Sequence, residues 1–444
     1  MANGLVRWVA LLAPLLALVC ASNVAHVALT PPVTPASAAS YAEAVAWADA
    51  HDDYGHRKYA RYYRRSLQPA PPLNYRHDGM WMATIGVGTP PKEYQVIVDT
   101  GSADLWLSLR SYIPKKSRTY KTLNKPFSLT YNVGYAQGYA ASDRVAIGGV
   151  VADPQYFGVV NHSEHLSLPT NVTGILGLAL PDLSVLHAQP FWAASNLSPR
   201  VMGLYLKRDP HPGQGASNKA GGVLTLGGVN TSLYVGDIDY IQVTDSRHWQ
   251  VPLNGLAVGG AQIHLPRDTQ AFFDTGTALI GGPSDVVHRV YTKIPGSKPM
   301  PQNKGHFTYP CAVQPNISFS FGQRKYCLNH ADFRAMVIQT DNDAIEGERC
   351  MGALYALQGT ANAKRWLMGA AFMKNVYTVL DGDEPRRVGL AALRETPFLL
   401  MHREQKLHDT LFSLCEAAGF LPQITLEMRS MNTAHALAGA GLGA

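Results

Sequence analysis

An all-β protein made of two related lobes is the expectation from three features of this chain. The tripeptide Asp-Thr-Gly occurs twice, as Asp99-Thr100-Gly101 and Asp274-Thr275-Gly276, each time behind an apolar run, Val96-Ile97-Val98 and Ala271-Phe272-Phe273. A later signature of two apolar residues and a glycine also occurs twice, as Ile175-Leu176-Gly177 and Leu367-Met368-Gly369. Between these lie short alternating segments such as Asn316-Ile317-Ser318-Phe319-Ser320-Phe321. Their period of two is that of a half-buried strand, whereas long helical periodicity is scarce and glycine and proline punctuate the chain.

The duplicated tripeptide carries chemistry as well as architecture. One Asp-Thr-Gly is ordinary turn material. Two, each ending a strand-like run, suggest two carboxylates meeting on one axis. Carboxyls held about 3 Å apart cannot both ionise cheaply, so they share a proton and titrate as a unit. The ionised member then takes a proton from water while the protonated member polarises a carbonyl. Glycine is expected after each Asp-Thr because the turn needs backbone angles that a side chain forbids. The threonine hydroxyls are placed to bond across the twofold and lock the loops.

Composition sets the outer bounds. A chain of 444 residues is too long for one ordinary domain and ample for two lobes with cores. With 46% hydrophobic and 16% charged residues it reads as a folded protein. The formal charge of +6 is small and spread out, with no basic-aromatic patch in the lobes, so nucleic acid is not an expected partner.

The surroundings of the tripeptides resemble the pepsin-like aspartic peptidases. Asp99-Thr100-Gly101-Ser102-Ala103-Asp104-Leu105-Trp106 resembles that family's first active-site loop, and Thr84 to Pro90 its N-terminal strand and hairpin. Leu129-Thr130-Tyr131-Asn132-Val133-Gly134 is similar to the flap, and Thr173 to Ala179 to the segment threading the N-lobe loop. Trp366 to Gly369, Phe372 and Tyr377 to Asp381 match the C-lobe counterpart, and Val388 to Ala391 the closing strand. The resemblance covers roughly residues 77–392. It implies a bilobal acid protease fold with a central cleft, Asp99 and Asp274 as the catalytic pair, and no metal or organic cofactor. It further implies that Ser102 and Thr277 bond the outer aspartate oxygens, that Tyr131 caps the substrate and that Trp106 holds the tyrosine hydroxyl. Gly101 and Gly276 belong to the same apparatus, Gly276 standing where a substrate backbone group comes close. Bulky hydrophobic residues on either side of the cut bond follow from the family's apolar cleft.

The segments fall in order along the chain. Residues 1–21 read as a signal peptide: Arg7, the thirteen-residue apolar run Trp8 to Cys20, too short to span a bilayer, and small residues at Val19-Cys20-Ala21. A secreted, extracellular protein with no stable membrane insertion follows, a vacuole being the other destination. The sequons at Asn161, Asn171, Asn196, Asn230 and Asn316 suit that route, although Pro199 weakens Asn196. Residues 22–65 resemble a family propeptide. The basic stretch His56 to Arg65 is to lie over the cleft, with Arg57, Lys58 and Arg61 as candidate partners of the aspartates, and Arg64-Arg65 offers a dibasic cut before Ser66; a solvated basic linker is the plainer alternative. His51, Asp52, Asp53 and His56 do not amount to a metal site. The N-terminal lobe is assigned to 66–245 and the C-terminal lobe to 246–395. Cys311 and Cys350 sit where the family's C-lobe disulfide falls, which would add roughly 3–4 kcal/mol. Cys327 and Cys415 are open, as a pair or as free thiols.

Three departures from the family stand out. Asn132-Val133 replaces the usual flap residues, Ala370 stands where acid-active members carry Asp, and residues 396–444 follow the closing strand. In that extension Leu407, Leu411 and Leu414 recur at helical spacing; its role is open, a mis-joined gene included. The expected protein is thus a monomeric zymogen of an aspartic endopeptidase acting on peptide or protein substrates at acid pH. A silent binding or inhibitory protein on the same scaffold and a narrow processing protease are the alternatives.

Overall fold

The structure is a computed structural model. It describes residues 25–29, residues 80–394 apart from 132–133, 165, 167, 169–171, 209–220, 302, 339–347, 358 and 360–361, and the strands 396–401 and 422–428. The expected signal peptide, all but 25–29 of the expected propeptide, Asn132, Val133, Asn171, the leucines of the extension and Cys415 lie outside the described residues.

The first half forms a seven-stranded sheet ordered Met82–Val87, Lys92–Asp99, Val172–Gly177, Leu105–Ser108, Val150–Glu164, Gly134–Ile147, Lys121–Tyr131. Met82–Val87 also pairs with Gly134–Ile147, which curls the sheet toward closure. Lys92–Asp99 runs parallel to Val172–Gly177, so Asp99 faces Gly177. The second half repeats the device, with Gln270–Phe273 parallel to Arg365–Met368 and Phe273 facing Met368. Each apolar-apolar-Gly signature is therefore the parallel neighbour of an Asp-Thr-Gly strand. Strands enclosed in this way are continuously apolar instead of alternating, and Val96, Val98, Ala271 and Phe273 are fully buried.

A six-stranded sheet joins the halves, ordered Ala25–Leu29, Gly222–Leu226, Val201–Leu206, Val376–Asp381, Arg387–Leu393, Tyr234–Gln242. Val201–Leu206 from before residue 245 pairs directly with Val376–Asp381 from after it, Val379 facing Gly203. The strand Ala25–Leu29, far upstream of the peptidase-like region, occupies one edge.

The segment Ile317–Phe321 departs from a simple half-buried strand. It lies between Gly255–Val258 and Arg324–Leu328 in a four-stranded sheet, and Ser318 is buried along with Ile317, Phe319 and Phe321. Neighbouring strands pair with both of its edges and, at Ser318, the second face is covered as well, which period two alone does not reveal. Cys311 and Cys350 form a disulfide; Cys327 is an exposed free thiol. The strands Thr396–Met401 and Pro422–Met428 pair with each other in parallel as a separate two-stranded sheet.

Candidate active site

The two strands that carry Asp-Thr-Gly end beside each other, and the loops beyond them interlock. Thr100 N–H donates to Thr275 Oγ1 and Thr275 N–H donates to Thr100 Oγ1, each at 3.0 Å. The Thr100 hydroxyl donates to Phe273 O at 2.9 Å and the Thr275 hydroxyl to Val98 O at 2.7 Å. These four buried bonds cross from one half of the chain to the other. They fix the two aspartates relative to each other before any substrate arrives.

The aspartates have matched surroundings. Asp99 Oδ1 accepts from Gly101 N–H at 2.9 Å and Oδ2 from the Ser102 hydroxyl at 2.5 Å. Asp274 Oδ1 accepts from Gly276 N–H at 2.8 Å and Oδ2 from the Thr277 hydroxyl at 2.7 Å. Asp99 and Asp274 are both buried, 6% and 9% exposed. Burial, and next the neighbouring charge of Asp99, push Asp274 far above the usual carboxylate range, against the pull of its Thr277 and Gly276 bonds.

The glycines serve a purpose other than the one expected. Neither Gly101 nor Gly276 has a left-handed φ. Each is required because the opposite aspartate is close: a Cβ on Gly101 would lie 2.5 Å from Asp274 Oδ1, and one on Gly276 2.5 Å from Asp99 Oδ1. Gly177 and Gly369 have related roles behind the loops. A Cβ on Gly177 would lie 2.5 Å from Ala103 C and Asp104 N, and one on Gly369 would run into the carbonyls of Thr277 and Leu279. Ala370 is fully buried and donates its N–H to Thr277 O at 2.8 Å, opening the short helix Ala370–Met373.

The flap side is tied to the first loop. Trp106 Nε1–H donates to the Tyr131 hydroxyl oxygen at 2.7 Å, and Tyr131 also hydrogen-bonds Ser102. A chain thus runs from the Trp106 indole through Tyr131 and Ser102 to Asp99. Burial, then the Asp99 charge, hold the tyrosine well above its ordinary pKa, so it stays a neutral hydroxyl. The hairpin closes where Tyr131 faces Gly134.

Asp104 was not among the expected site residues. It is 3% exposed and accepts from the Ser184 hydroxyl at 2.6 Å, Val185 N–H at 2.8 Å and Leu186 N–H at 3.3 Å. Burial raises its pKa more than these bonds lower it. It anchors a turn whose Leu186 packs against the cluster holding Trp106 and Tyr131. An acid inside the run Ala103-Asp104-Leu105-Trp106 was the available signal.

Comparison with known proteins agrees with this geometry. The family model for eukaryotic aspartyl protease matches residues 80–393. Major aspartyl peptidase 1 of Cryptococcus neoformans var. grubii is 30% identical over 71% of this chain and 69% of its own length. Cathepsin E of Mus musculus is 31% identical over 72% of this chain and 82% of its own. For cathepsin D of Chionodraco hamatus the identity is 31%, over 76% and 88%. A second family model, the LysR substrate binding domain, matches residues 380–444.

Proposed function

Because the chain belongs to the eukaryotic aspartyl protease family and is an aspartic endopeptidase, we propose that it is a secreted, acid-active zymogen in which Asp99 and Asp274 activate the hydrolytic water. The observation carrying this reading is the interlocked pair of loops, each glycine pressed against the other loop's aspartate. One shared proton leaves a carboxylate to take a proton from water and a carboxylic acid to polarise the scissile carbonyl. Attack gives a tetrahedral diol, and proton transfer to the amide nitrogen lets the C–N bond break. Water is the nucleophile throughout, so no acyl-enzyme forms.

The preference for bulky apolar residues at the cut bond is supported by the flap surroundings. Leu166, Leu168 and Leu186 are only partly buried and pack with Tyr131 against the cluster of Trp106, Phe127 and Leu129. Such a surface favours apolar side chains by burying them. The propeptide reading of 22–65 is supported by Ala25–Leu29, which pairs with Gly222–Leu226 and places buried Val27 against the six-stranded sheet. From that anchor the basic stretch ending at Arg65 is to cross the cleft at neutral pH, and to leave when acid protonates the carboxylates.

Proteolysis of a denatured protein from strongly acid to neutral pH tests the reading, with Asp274→Asn and a statine-type transition-state analogue in parallel. The expected result is acid-limited, inhibitor-sensitive cleavage that drops about a thousandfold or more in the variant, the scale of lost acid–base catalysis with its positioned water. Processed, folded wild type that cleaves nothing at any pH would overturn it.

A further inference from the structure

Asn161, Asn196, Asn230 and Asn316 are the sequon asparagines that fall on described residues, and the fold treats them differently. Asn196 is bound into the start of the strand Val150–Glu164, its N–H donating to Val151 O at 3.0 Å and its Oδ1 accepting from Val151 N–H at 2.9 Å. Asn230 is half-buried and folds onto its own sequon, Oδ1 accepting from the Ser232 N–H at 3.0 Å and hydroxyl at 2.6 Å. Asn316 is exposed, yet Ile317 and Ser318 of the same sequon are buried in an inner strand.

Asn161 lies in different surroundings. Val160 pairs with Gly138 and His162 with Gln137, so Asn161 is an extra residue opposite no partner on the neighbouring strand. A bulge of this kind turns successive side chains the same way, and Asn161, His162 and Ser163 are all exposed. On the other side, the partner strand Leu105–Ser108 stops at Val160. Residues 161–163 therefore lie beyond the end of that strand as an open sheet edge, with no second strand beside them among the described residues. Gln137, opposite the bulge, is three residues from Gly134, which puts the bulge roughly 10 Å from the flap turn. Just beyond it the ribbon is braced by His162, whose Nε2 lies 2.9 Å from the Tyr135 hydroxyl and 3.0 Å from Glu164 Oε1.

We propose that Asn161 is an N-glycosylation site and that its oligosaccharide shields this open edge beside the flap. The Asn161 Nδ2 nitrogen loses a proton and bonds the anomeric carbon of a pyrophosphate-activated oligosaccharide, and the pyrophosphate oxygen leaves with the bonding pair. The sugar is attached to an asparagine that the finished fold keeps in solvent, so closing the sheet does not oppose it. Unpaired strand edges are templates for pairing with another chain, and a bulge combined with a bulky hydrophilic group blocks that.

The proposal rests on the secretory reading, and one experiment separates the two. The full chain is made in a eukaryotic secretory host, treated with peptide-N-glycosidase in heavy-oxygen water and mapped by mass spectrometry, alongside Ser163→Ala. Asn161 is expected to appear as labelled aspartate in more than about half of the molecules. Ser163→Ala should lose that label alone, keep its activity on a short peptide and self-associate more at high concentration. Secreted protein with Asn161 unlabelled overturns the proposal and leaves the secretory reading standing. Protein retained in the cell with no sequon labelled overturns both.

Discussion

A single methyl group at position 276 would stand 2.5 Å from Asp99 Oδ1 and 3.1 Å from Asp274 Oδ1. It can be accommodated only by moving a carboxylate. Displacements near 1 Å in a catalytic pair cost about a hundredfold in rate, so Gly276→Ala should lower kcat/KM by at least about that factor. Substrate binding measured with the transition-state analogue should weaken in step, and a variant with wild-type kcat/KM would contradict the close-approach account. The aspartates also set a pH dependence of stability. Asp274 is raised above its ordinary 3.8, chiefly by burial. Above 3.8 the unfolded chain has released a proton that the folded protein still holds, so stability falls as pH rises through the raised pKa. Asp274→Asn removes the titration. Melting curves of the two proteins should run parallel below about pH 3.8, and the Asn variant should gain on the wild type toward neutrality. A constant difference across that range would contradict the shift.

The strands that carry the site were legible because their chemistry is local. An apolar run ending in Asp-Thr-Gly is visible in the sequence, and so is each apolar-apolar-Gly partner. The six-stranded sheet was not, because it pairs Val201–Leu206 with Val376–Asp381, and no periodicity encodes a register over that separation. The edge strand Ala25–Leu29 was hidden for the same reason, inside a segment read for its charge. Buried polar groups were a second blind spot. His306, just before the strand Phe307–Pro310, is fully buried and stacked on Tyr355 with ring centroids 5.4 Å apart and an interplanar angle of 4°. Burial pushes it down to about 3 from an ordinary 6.5. As pH falls through 6.5 the unfolded chain takes up a proton that the folded protein refuses, so stability is lost progressively down to about pH 3. His306→Phe keeps the stacked ring and removes the titration. It should be more stable than wild type at pH 3 by roughly 3–5 kcal/mol relative to their difference at pH 7. Denaturant melts at the two pH values measure this, and equal differences would show that His306 is not held neutral.

On the scale of the whole molecule, the peptidase ends at a definite point. The closing strand Arg387–Leu393 is paired on both sides within the joining sheet, and Arg394 finishes it, its N–H donating to Leu233 O at 3.1 Å and its guanidinium to Thr231 O and Tyr234 O. Two family models claim residues 380–393, but the pairing of Val376–Asp381 with Val201–Leu206 binds this stretch to the peptidase. Beyond it the chemistry changes. Thr396–Met401 and Pro422–Met428 run parallel, which obliges a crossover between them, whereas the closing strand lies antiparallel to its neighbours. Within the described residues the two tail strands pair only with each other. The extension is thus expected to be an appendage that adds nothing to the catalytic fold. Truncation after Arg394 should leave the melting temperature of the main transition and kcat/KM on a short peptide unchanged within error. Truncation after Gly389 removes half of the closing strand and should abolish folding, because Leu390 and Ala391 are fully buried. If removing 395–444 alone lowered the main transition by several degrees or cost activity, the tail would have to pack on the peptidase, and the boundary at Arg394 would be wrong.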